Sequence, residues 1–148
     1  MSFEDLPGDW PQRSVADPIL AADLVDLVVS DADRRDGALG LLLCRPDGRL
    51  AQPVVVSTLG CPDVLNLLDL VLDQLPHLPG IDGLVLAIAR QWGGLSDEDR
   101  ALHQAALELC RDHGLTLWGA YLATSAGVSP LPVAPELAPQ MGGPDTAA

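Results

Sequence analysis

Residues 83–90, GLVLAIAR, are apolar on both faces of an extended chain, and no other segment constrains the fold as strongly. Successive side chains of a strand point to opposite sides, so a run without polar alternation must be buried on both. The segment is therefore expected to be a central strand, and the elements around it have to cover it.

The neighbouring segments carry the matching signals. Asp17-Pro18 pairs an N-cap acceptor with a ring that pre-sets the first helical φ. Leu20, Leu24, Leu27 and Val28 then recur at helical spacing, and the helix is expected to fade near Ser30, before the charged run DADRRD. GALGLLLCR, the turn Pro46-Asp47-Gly48 and RLAQPVVVS predict a β-hairpin, whose second strand should lie at an edge or break at Pro53. A helix opens after Cys61-Pro62-Asp63 with a core stripe of Val64, Leu68, Val71, Leu72 and Leu75, and with Asn66, Asp69 and Asp73 on its wet face. After strand 83–90 and the turn Trp92-Gly93-Gly94, a helix runs from Ser96 to about Asp112 with Leu102, Ala105, Ala106, Leu109 and Cys110 inward and Gly114 as its stop. LTLWGAYLAT supplies a last strand. The predicted order is α-β-β-α-β-α-β, a single α/β domain of two or three layers with a mixed β-sheet flanked by helices.

The ends read differently. Residues 1–15 are expected to form a flexible N-terminal segment, with Trp10 able to pack back. Residues 16–127 form the body. Residues 128–148, with Pro130, Pro132, Pro135, Pro139 and Pro144, are expected to be a flexible Pro/Ala-rich tail.

Charge and cysteine usage narrow the function classes. The chain carries 21 Asp+Glu against 8 Lys+Arg, all of them Arg, for a formal charge of −13. Broad docking on phosphate backbones needs clustered cations, so nucleic acid is an unexpected partner, and so is an anionic membrane surface. Cys44, Cys61 and Cys110 form an odd set without CxxC spacing, so neither a disulfide framework nor a zinc ribbon is indicated. The acidic start lacks a signal-peptide pattern, and no apolar run approaches the ~20 residues of a membrane span. A cytoplasmic protein is expected.

Several phrases of the body resemble the JAB/MPN domain of RadC-type proteins: GALGLLLC from Gly37, the hairpin, the helix after Pro62, strand 83–90, and Ser96-Asp97-Glu98-Asp99 leading a helix. The closest part is LVLAIARQWGGLSDEDRALHQAALELCRDHGLTLWGAYLAT, and the resemblance covers about 35–127. In that family a buried strand ends in His-x-His, a glycine-containing turn follows, and Ser-x-x-Asp begins the next helix. In its metal-dependent members the two His and the Asp hold zinc, and an upstream Glu is the general base. Here Ala89-Arg90-Gln91 stands where His-x-His would, with no His between His77 and His103 and no Glu between Glu4 and Glu98. Only Ser96 and Asp99 match the motif, and one ligand of three cannot hold zinc. The resemblance thus implies a JAB/MPN-like fold in a metal-free, non-hydrolytic member that needs no cofactor. Its expected role is a protein-interaction or assembly module, with another protein or a second copy as partner in a homodimer.

Read residue by residue, the candidate site is Arg90, Trp92, Gly93, Gly94, Ser96 and Asp99. Arg90 ends an apolar strand, where α/β sheets often place ligand groups, and Trp and Arg are favoured interface anchors. The plainer alternative has Trp92 folded back as a core lid and Arg90 paired with Asp97 or Asp99. Gly93-Gly94 before a helix start can hold an anion, but the acids at 97–99 oppose one. Ser96 through Asp99 also has the form of a capping box.

Other constellations are weaker. His103 and Cys110 share a helical face about 10 Å apart, too far for one ion. Cys110 and His113 lack further ligands, and Ser57 has no marked base, His77 lying between prolines. The acidic helix 61–75 and the cluster Asp31, Asp33 and Asp36 read as solvated surface, with a basic partner as the alternative. A second function class therefore stays open: a small-molecule or nucleotide-binding domain, or an enzyme, using Arg90, the Gly93-Gly94 turn and the helix start at Ser96. A third is a structural accessory whose Pro-rich tail recruits partners.

Overall fold

A computed structural model describes residues 5–132. The elements are α1 (Pro18–Val28), α2 (Asp31–Asp36), β1 (Ala38–Cys44), β2 (Leu50–Ser57), α3 (Val64–Gln74), β3 (Gly83–Ala89), α4 (Asp97–Asp112), β4 (Thr116–Thr124) and β5 (Gly127–Pro130). The five strands form one mixed sheet in the order β2-β1-β3-β4-β5. β1 is antiparallel to β2 and β3, β3 is parallel to β4, and β4 is antiparallel to β5.

Every residue of β3 is buried, as its apolar composition requires. The alternation of β1 sorts its side chains between two cores. Leu39, Leu41 and Leu43 pack with Leu68 and Leu72 of α3 and Leu102 and Ala106 of α4. Ala38, Leu42 and Cys44 pack on the opposite face with Leu20, Leu24 and Val25 of α1. Three layers result, with α3 and α4 on one face and α1 on the other. Gly40 makes the α1 side close: a Cβ there would lie 3.2 Å from the Ala87 Cβ and 3.3 Å from the Val29 Cγ2.

Local chemistry sets the element ends. Asp17 caps α1 by accepting from the Ile19 amide at 3.0 Å. Pro53 lies in β2 opposite Leu42, and β2 is an edge strand, where only one side has to pair. The α4 helix ends in the paired hydrogen bonds of a Schellman motif, Leu115 N–H to the Cys110 carbonyl at 2.7 Å and Gly114 N–H to that of Arg111 at 3.2 Å, with Gly114 at φ +70°.

The observed order, α-α-β-β-α-β-α-β-β, adds two elements to the expected one. DADRRD does not trail off as a solvated loop but forms α2. Ser30 accepts from the Asp33 amide while the Asp33 carboxylate accepts from the Ser30 amide, a full capping box that starts a new helix only two residues, Val29 and Ser30, beyond α1. At the other end, Gly127–Pro130 pairs with Tyr121–Thr124, and Leu131 is buried, its N–H donating to the Ala120 carbonyl at 2.8 Å. Prolines are compatible with this strand because it too is an edge. The body therefore extends past residue 127. The described part of the segment 1–15 also packs: Leu6 and Val15 are buried against the α1 face, and Val15 N–H donates to the Gly48 carbonyl. The remainder of the expected tail, 133–148, lies outside the described residues.

Candidate functional site

β3 and β4 are parallel, so their carboxyl ends meet at one edge of the sheet, and the chain leaves each there as a loop. Arg90 continues β3, its N–H donating to the Ala123 carbonyl at 3.1 Å. Its guanidinium turns back along the loop and grips Asp99 with both arms, Nη1 to Oδ1 at 2.6 Å and Nη2 to Oδ2 at 2.5 Å. Nη2 also donates to the Gly94 carbonyl. Asp99 is the third residue of α4, and its side chain accepts from the Ser96 amide while Ser96 Oγ accepts from the Asp99 amide. One carboxylate thus closes the capping box and binds the strand end.

Burial of Asp99 alone would raise its carboxyl, but the Arg90 guanidinium and the Ser96 amide outweigh that and hold it below the ordinary carboxylate value. Arg90 is correspondingly raised by its hydrogen bonds to Asp99. The donors and acceptors of Arg90, Ser96 and Asp99 are turned toward one another. Gly93 stands at φ +104° and lets the turn fold over the Arg90 side chain. Trp92 is 71% exposed, so it does not fold back as the core lid that the plainer alternative expected. Of the six residues, Arg90, Ser96, Asp99 and the Gly93-Gly94 backbone come together, and Trp92 points away.

Beside this pair lies a cavity of about 380 Å³ that the sequence did not reveal. Its walls are Leu39, Ile88, Ala89 and Leu102, with Asp63 and Glu98 on the rim. It sits between the amino ends of α3 and α4, and Asp63 caps α3 by accepting from the Asn66 amide at 3.0 Å. Helical stripes in the sequence place Leu102 inward but do not show that two helix starts converge.

Sequence reasoning also missed Arg34, which is 7% exposed. Its Nη1 donates to the Thr124 carbonyl, and its Nη2 to the Asp26 carboxylate and the Asp26 and Val29 carbonyls, each at 2.9–3.0 Å. It ties α1, α2 and β4 together. Only the Ser30-x-x-Asp33 capping pattern marked the helix that carries it.

Cys44, Cys110 and His103 lie in the core, whereas Cys61 is half-buried. Burial pushes the Cys44 thiol up to about 12 and the Cys110 thiol up to about 11, so both stay protonated near neutrality and pack as small apolar groups. His103, on the buried side of α4, is lowered from its ordinary 6.5 by burial. A depressed folded-state value means that protonation favours the unfolded chain. The unfolding free energy should therefore be insensitive to His103 above pH 6.5 and should fall as the pH drops below it. Urea unfolding between about pH 7 and 5 checks this, and His103→Leu should flatten the slope.

Among the described residues no group of three His, Cys, Asp or Glu side chains is placed to hold a metal ion. Nor, among them, is any helix long and apolar enough to cross a membrane. No protein-family model, curated protein or solved structure matches the chain.

Proposed function

We propose that this α/β domain is a metal-free, non-catalytic JAB/MPN-like module that acts by protein interaction, with self-assembly into a homodimer as its simplest form. One observation carries the reading. Both oxygens of Asp99, the residue that the resemblance places among metal ligands, are held by the Arg90 guanidinium. A fixed cation on the preceding strand balances the carboxylate, so the site is neutralised from within the chain. Arg90, Ser96 and Asp99 are spent on one another, which also leaves the helix start at Ser96 poorly suited to a nucleotide or other anion. The interaction half rests on Trp92, a large aromatic side chain exposed at the tip of a turn whose backbone is fixed.

The metal half is tested by zinc titration of the full chain in a calorimeter. No stoichiometric binding is expected, and one zinc per chain held at the strength of structural sites would overturn it. The self-assembly half is tested by light scattering on eluting protein. A dimer that Trp92→Ala converts to monomer without lowering the unfolding midpoint is expected, and a wild-type chain that stays monomeric at high concentration overturns it.

A further inference from the structure

The β2–α3–β3 and β3–α4–β4 connections both join parallel strands and both lie on the same face, so α3 and α4 run side by side in the same direction. The apolar cavity at their amino ends continues between them. A second hollow of about 430 Å³ shares Asp63 and Leu65 with the first. It is lined from α3 by Asp63, Leu65 and Asp69, and from α4 by Glu108, Leu109 and Asp112. Among the described residues, four carboxylates line this hollow and no cationic side chain does. Leu65 is 46% exposed at the junction of the two hollows, where helical stripes ordinarily leave polar groups.

We propose that this α3–α4 groove is a docking site for a basic amphipathic segment of another protein, an apolar side chain seated in the cavity beside Leu39 and Leu102 and Arg or Lys residues lying along Asp69, Glu108 and Asp112. Charge decides the occupant. The chain's own residues 133–148 contain Glu136 and Asp145 and no Arg, so they are repelled by the groove. A second copy brings a formal charge of −13 to the same carboxylates. A cationic segment with an apolar anchor satisfies both halves of the groove, in the manner of helix-in-groove recognition. The proposal builds on the interaction-module reading by naming the partner's chemistry. It does not use Trp92, and Asp99 only lines the cavity wall with its carboxylate still held by Arg90, so it can fail while the metal and dimer tests succeed.

The test is fluorescence polarisation of the full chain with a labelled amphipathic peptide of Leu and Lys, beside the same peptide with Glu in place of Lys. The Lys peptide should bind and the Glu peptide should not, and binding should weaken as salt rises. Asp69→Asn, Glu108→Gln and Asp112→Asn together should weaken it about tenfold. Asp31→Asn, Asp36→Asn and Asp82→Asn remove as many exposed acids away from the hollow and should leave it within about twofold. Leu65→Glu should weaken binding at unchanged unfolding midpoint. Absence of binding, equal binding of the Glu peptide, or equal losses in the two triple variants would overturn the proposal.

Discussion

Arg34→Met should destabilise the fold by about 3–4 kcal/mol, the largest single-residue effect expected outside the apolar core. The side chain is 92% buried (8% exposed), and its two Nη atoms bind three main-chain carbonyls and the Asp26 carboxylate. Methionine replaces the aliphatic stem but ends two atoms short of the Nη positions, and it strands the carbonyls of Val29 and Thr124. Each buried acceptor left unpaired costs on the order of 1–3 kcal/mol, and the gain from methionine packing offsets part of that. Arg34→Lys keeps the charge but offers one compact donor head in place of the fork, and should lose about 2 kcal/mol. Urea unfolding followed by circular dichroism measures both. A loss below about 1 kcal/mol for the methionine variant would mean that α2 detaches freely and that the clamp contributes little.

Arg90→Ala should cost about 2–3 kcal/mol. Breaking a fully buried ion pair costs about 3–5 kcal/mol, but the Arg90 side chain is 29% exposed against 5% for Asp99, so screening takes part of that. For a chain of this size the midpoint of thermal unfolding should fall by roughly 4–12 °C. The pH dependence has a definite sign. Asp99 is depressed in the folded state, so its contribution is present above its unfolded value of 3.8 and is lost as pH falls through the folded value. In Arg90→Ala that acid-side loss should shrink, because the guanidinium no longer holds the carboxyl down. A double-mutant cycle with Asp99→Ala isolates the pair from the cap, which by itself accounts for about 1 kcal/mol.

Much of the fold was legible because its signals are local. Asp17-Pro18, the Pro46-Asp47-Gly48 turn, Ser96 with Asp99, and Gly114 each act within a few residues of themselves, and each lies where its chemistry places it. The α3 stripe was read with the same success, Leu68, Leu72 and Leu75 being buried and Val64 and Val71 half-buried. The two added elements were hidden by composition. DADRRD has the charge of a solvated loop, yet one of its arginines is core. Ser129-Pro130 has the proline content of a tail, yet an edge strand accepts it.

The site was only half legible. Sequence brought Arg90 into view as a charge at the end of an apolar strand and offered Asp97 or Asp99 as partner. The geometry selects Asp99, because Asp97 is exposed and pairs with Arg100 at 2.9 Å. The α3–α4 groove had no signature, since Asp69 and Glu108 belong to helices separated by a whole strand.

By itself the sequence determined a layered α/β domain with a doubly buried strand, the helix ends, and a strongly acidic coat around a Leu-rich core. These follow from periodicity, capping and composition, which act over one or two turns of chain. Tertiary structure alone decided that there are three layers, that Arg34 reaches across 90 residues to the Thr124 carbonyl, that Trp92 stays outside, and that two helix starts converge on one cavity. Those outcomes depend on which segments the sheet order brings together, and a buried cation is stable only where distant carbonyls happen to converge on it.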